Sequence, residues 1–185
     1  MMRASIDFAV KNAGTGKYVN VDATKIMAAG FSCGGVEAMD QSWDSRVSTI
    51  GIFSSGLLTN YTAASTWTKP TLFVIGGSGD IAYNNVRIHA VHVGRDLSML
   101  THPQAERDYK AMRTTTPVWK GNLPLGHGGD LFNNNGGKFG KAGIQWMEYL
   151  FRGDQNAGKY FLEGGSKADN WVVESRGLDK LKPLV

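Results

Sequence analysis

The sequence predicts an α/β protein built on a parallel sheet with flanking helices. Short continuous apolar runs recur along the chain, each closed by a Gly- or Ser-rich break, and stretches of helical spacing lie before and between them. Glycine is also frequent, 24 of 185 residues, which suits many tight turns between strand and helix better than a helical bundle. The length fits a single domain over 1–185, at about 100–200 residues per domain.

The elements follow in order. Residues 3–13 place Ile6, Phe8, Ala9 and Val10 near one side of a helix, which Asn12-Ala13-Gly14 ends. Residues 26–31 are a short apolar run that suits a strand buried on both faces, and 34–41 follow as a short helix. Residues 47–53 form a second run ending in Ser54-Ser55-Gly56, and 70–75 a third ending in Gly76-Gly77-Ser78-Gly79-Asp80. Residues 116–120 form a fourth, before Gly126-His127-Gly128-Gly129, and 138–151 return to helical spacing through Phe139, Ile144, Trp146, Met147, Leu150 and Phe151. In parallel sheets ligands bind off the carboxyl ends of the strands. Ser32, Asp80 and His127 each come after a predicted strand.

Composition excludes several classes. One cysteine forms no intrachain disulfide and cannot build a multi-cysteine zinc or iron–sulfur site. No run approaches the roughly 18 apolar residues of a membrane span, and the first residues lack the apolar segment of a signal peptide. The net charge of +4 is spread over scattered lysines and arginines, without the clustered basic face of a nucleic-acid binder.

The chemistry centres on Gly30-Phe31-Ser32-Cys33-Gly34, a G-x-S-x-G pattern that closes a strand and opens a helix. This is the setting of a nucleophile elbow, in which small glycines permit a sharp turn that holds the serine exposed and strained. A serine hydroxyl needs a general base, and the base needs an orienting partner. Asp80 and His127 supply these in the order serine, acid, histidine, each in a Gly-rich turn after a strand. The backbone N–H of Cys33, directly after the serine, is the expected oxyanion donor, and its thiol a small packing group. His89 and His92 lack a third ligand at metal-site spacing, so no metal is expected. Gly76–Gly79 lack the lysine of a phosphate loop and the third glycine of a dinucleotide fingerprint, so they read as a turn, and no cofactor is expected.

Four blocks carry a resemblance. They are Asn12-Ala13-Gly14-Thr15-Gly16-Lys17-Tyr18, then Gly30-Phe31-Ser32-Cys33-Gly34-Gly35-Val36-Glu37-Ala38, Asp80-Ile81-Ala82-Tyr83 and Gly126-His127-Gly128-Gly129. Together they resemble a group of α/β-hydrolase fold proteins, many from filamentous fungi and usually secreted. The resemblance implies a serine hydrolase of ester-type bonds that needs no cofactor, acting on a small-molecule or polymeric ester, with an extracellular full-length parent. The alternatives are a non-catalytic binding protein on the same fold, and lyase or peptidase chemistry on the same scaffold.

The chain departs from that group in two places. The elbow arrives at residue 32, leaving no room for the early strands or for the loop that supplies a second oxyanion donor. The expected architecture is therefore the C-terminal half of an α/β-hydrolase fold, its elbow strand a bare apolar edge open to self-association and its hydrolase activity impaired in this truncated chain. Residues 86–104 do not resemble the group, and removing them joins two stretches that do. The codons at their ends can spell the donor, branch and acceptor signals of a short fungal intron, so the segment reads as a retained intron or, alternatively, a genuine loop or lid.

Overall fold

A computed structural model describes residues 1–83 and 104–184. Five strands form one sheet: β1 (Met27–Phe31), β2 (Thr49–Phe53), β3 (Thr71–Ile75), β4 (Val118–Asn122) and β5 (Val172–Arg176), in the order β1-β2-β3-β4-β5. The first four are parallel and β5 runs antiparallel to β4. Five α-helices accompany them: α1 (Met2–Asn12), α2 (Cys33–Met39), α3 (Gln104–Ala111), α4 (Gly137–Arg152) and α5 (Gln155–Leu162).

The alternation of side chains along each strand sorts the core into two layers. Ile50, Ile52, Phe73, Ile75 and Val118 face one side, packed with Ile6 of α1, Ala38 and Met39 of α2, and Ala105 and Tyr109 of α3. Phe53, Leu72, Val74 and Trp119 face the other, against Phe139, Trp146 and Leu150 of α4 and Phe161 of α5. Helices thus cover both faces, which is why every residue of β2 and of β3 is buried. A buried hydrogen bond from the Trp146 indole N–H to Thr49 Oγ1, 2.9 Å long, ties α4 to β2. Among the described residues β1 pairs only with β2, so it is an edge strand, with Ala29 exposed.

The expected strands and the first and last expected helices are present with shifted ends. β4 starts two residues late because Pro117, which has no N–H, stands at its entrance and offers only its carbonyl, to Thr71 N–H at 2.9 Å. The expected helix over 34–41 is shorter at its end: α2 stops at Met39 and a 3-10 turn, Asp40–Trp43, completes it. The sheet is not wholly parallel as expected, because β5 was not anticipated. Its sequence, Val-Val-Glu-Ser-Arg, shows no apolar run because it is a largely exposed edge. α3 and α5 were not anticipated either. In α3 the buried side carries Ala105, Asp108 and Tyr109, so a carboxylate interrupts the apolar stripe that announces a helix.

The proposed insertion over 86–104 lies outside the described residues except for Gln104, which opens α3; His89, His92 and His102 lie outside them too. The described chain on either side is held together, Ala105 N–H donating to the Ala82 carbonyl at 3.0 Å. No helix among the described residues is long and apolar enough to cross a membrane.

Two buried polar groups fasten α3. Lys120, wholly buried in β4, forms ion pairs with Glu106 of α3 and, at 2.8 Å, with Glu174 of β5, and its ammonium lies 4.6 Å from the Tyr109 ring centre. Asp108, also fully buried, accepts the Leu57 N–H at 2.5 Å and faces the Arg107 guanidinium at 3.2 Å. Burial outweighs these partners and pushes the Asp108 carboxyl up to about 6 from an ordinary 3.8. Between those values the folded chain holds a proton that the unfolded chain has released, so stability falls as pH rises through the window and is level above it. Chemical denaturation at pH 4 and pH 7 should show wild type losing about 2 kcal/mol relative to Asp108→Asn on going up in pH. Parallel pH profiles for the two proteins would contradict this.

Candidate active site

The first component grows from the turn between β1 and α2. Ser32 has φ 53° and ψ −121°, in the left-handed half of backbone space that residues with a Cβ rarely adopt. The strain is held by close approach on both sides. A Cβ on Gly30 would lie 2.1 Å from the Gly34 carbonyl oxygen, and one on Gly35 would lie 2.4 Å from the Ser55 Cβ. One on Gly34 would meet nothing within 4 Å. The expectation that both motif glycines permit the turn is therefore corrected: Gly30 and Gly35 are the sterically required pair, and Gly34 is not. The backbone of Ser32 is also fixed by β2, its N–H donating to Phe53 O at 3.0 Å and its carbonyl accepting the Ser55 hydroxyl at 2.6 Å.

The second component is Asp80, fully buried after a one-turn 3-10 segment that follows β3. Its carboxylate accepts the Gly76 N–H at 2.8 Å through Oδ2, and the Ala82 N–H at 2.9 Å through Oδ1. The same Oδ1 lies 2.8 Å from His127 Nδ1. With Nδ1 donating to the carboxylate, Nε2 carries the lone pair, and it lies 3.1 Å from Ser32 Oγ. The three residues singled out from the sequence are thus brought into one hydrogen-bonded chain.

His127 itself is set by its loop. It stands between Gly126 at φ 81° and Gly128 at φ 87°, positions a side chain would strain. The loop is seated against the turn after β3, Gly126 N–H donating to Gly76 O at 2.9 Å. A Cβ on Gly76 would lie 1.7 Å from the Gly126 oxygen, so this seat requires glycine. On its other side Gly128 N–H donates to Ser54 Oγ at 3.0 Å. Beyond it, Asp130 accepts the N–H groups of Lys138 at 2.8 Å and Phe139 at 3.0 Å, tying the loop to the first turn of α4.

The Cys33 thiol, expected as a small packing group, is instead exposed and free. As the first residue of α2 its N–H has no acceptor within the helix, so it is open to a ligand beside Ser32. Together these groups can draw a proton from a hydroxyl to Nε2, steady the imidazolium against a buried carboxylate, and offer an amide to a developing anion. Among the described residues no cluster of His, Cys, Asp and Glu could hold a metal ion.

Sequence reasoning passed over Ser54, Ser55, Gly35 and Asp130. The signal for the serine pair was present, since it ends the second apolar run at the same sheet edge as the other components. Asp130 gave no such signal, because it caps α4 from seven residues before the helix begins.

Two sets of variants check this geometry. Gly30→Ala and Gly35→Ala should each destabilise the fold by about 2 kcal/mol or more, whereas Gly34→Ala stays within about 0.5 kcal/mol of wild type in urea unfolding. Ser32→Gly, by relieving the backbone, should raise stability by about 1 kcal/mol, and an unchanged or lowered urea midpoint would argue against stored strain.

The chain matches no protein-family model and no curated protein sequence.

Proposed function

We propose that this chain is a serine hydrolase acting on ester-type acyl bonds, built on the C-terminal half of an α/β-hydrolase fold. The observation that carries the reading is the continuous relay from Ser32 Oγ through His127 to Asp80, 3.1 Å and 2.8 Å, seated on strand ends with the serine in a strained turn. A structural serine needs neither that backbone conformation nor a histidine whose other nitrogen meets a buried carboxylate.

In this reading Ser32 Oγ attacks the acyl carbon while His127 Nε2 takes its proton. The carbonyl oxygen becomes an oxyanion that the Cys33 N–H stabilises. Collapse breaks the bond to the alcohol oxygen, which takes the proton from Nε2 and leaves, with the acyl group on Ser32. Water then adds to the acyl-enzyme with His127 again as base, releasing the acid and restoring Ser32. Asp80 keeps the proton on Nδ1 and stabilises the imidazolium in both halves.

A fluorophosphonate probe followed by mass spectrometry tests this directly. Wild type should give a single adduct on Ser32, and Ser32→Ala none. His127→Ala and Asp80→Asn should slow labelling by about 1000-fold or more, with melting temperatures near that of wild type for His127→Ala. Absence of a Ser32 adduct in folded wild-type protein would overturn the proposal and favour a ligand-binding role for the fold.

A further inference from the structure

Phe132 is a large aromatic side chain 77% exposed to solvent, five residues after His127. It does not stand alone. Its ring meets Phe31 edge to face, with centres 5.4 Å apart, and Phe31 in turn lies 4.9 Å from the imidazole of His127 at a tilt of 43°. The pair closes over the main chain at Gly128, where a Cβ would come within 3.1 Å of Phe132 and 3.2 Å of Phe31. Phe31 also has a place in the second core layer, so one ring is anchored and the other is presented to solvent. An exposed aromatic on a rigid aromatic partner, beside a chain of catalytic geometry, is a binding surface in search of a flat apolar group.

Its position decides which part of a substrate it meets. The oxyanion belongs at the Cys33 N–H, at the start of α2. The alcohol must lie within hydrogen-bond reach of Nε2, because that nitrogen returns the proton to the departing oxygen. Phe31 lies against the imidazole and Phe132 against Phe31, so the pair borders the group that returns the proton to the alcohol. Resting on the serine-hydrolase reading, we infer that Phe31 and Phe132 form the leaving-group subsite, and that the substrates are esters of apolar, ring-bearing alcohols.

Protection of Ser32 from the fluorophosphonate probe measures the subsite without requiring turnover. Benzyl acetate carries the ring on the alcohol side, and ethyl octanoate carries its apolar part on the acyl side. In Phe132→Ala the half-protecting concentration of benzyl acetate should rise about tenfold, while that of ethyl octanoate moves less than about twofold. Phe132→Trp should restore benzyl acetate protection. Because Phe132 is exposed, both variants should fold, which their melting temperatures check. Equal effects on the two esters, or none on benzyl acetate, would overturn the subsite while leaving the Ser32 adduct intact. Loss of the adduct from wild type would overturn the underlying reading and the subsite with it.

Discussion

The arrangement at the sheet's carboxyl edge depends on one buried carboxylate. Asp80 has no contact with solvent, and it accepts N–H groups from Gly76, from Ala82 and from the His127 ring. A carboxylate withdrawn from water is costly unless such donors replace its hydration. The two backbone donors come from its own turn, so they shape that turn around it. The third reaches across from the loop after β4. One side chain thereby sets the turn after β3, the docking of the His127 loop, and which ring nitrogen faces Ser32. Gly76 completes the join, because any side chain there would strike the Gly126 carbonyl.

The strained serine is the opposite kind of element. Its backbone conformation costs about 1–3 kcal/mol and persists only where the surroundings over-determine it. Here they do. Phe53 and Ser55 hold both of its peptide groups from β2, while Gly30 and Gly35 let the strand and helix backbones close around it. Ser54 and Ser55 stand side by side at the end of β2 with different tasks. The first accepts from the histidine loop and the second donates to the nucleophile's carbonyl. A central strand with no side chain in the proton relay therefore sets the distance across it.

The two apolar layers give this edge its rigidity. β2 and β3 are buried along their whole length, and α4 is both packed on β2 and capped by Asp130 of the histidine loop. Displacement of α4 would move His127 through that cap. On the other face α3 is secured by charged groups rather than by apolar contact alone, through Lys120 with Glu106 and Asp108 with Leu57 N–H. Burying the Asp108 carboxyl makes that layer sensitive to pH.

Local pattern by itself determined the four parallel strands, the first and last of the expected helices, and Ser32, Asp80 and His127 as the polar residues to watch. Each is announced within a few residues: an apolar run, a glycine break, a polar group just after it. What local pattern could not determine was anything whose cause lies across the fold. β5 is an edge with no apolar signature, and α3 hides its buried face behind Asp108 and Lys120's partner Glu106. The glycine that matters for the elbow is Gly35 rather than Gly34, because the obstacle is Ser55, twenty residues away in sequence. Ser54 and Asp130 likewise act on backbone groups that only the tertiary structure brings near. Periodicity records which residues a segment buries. The contacts that orient a site are long-range hydrogen bonds and steric limits, and these exist only once the strands are side by side.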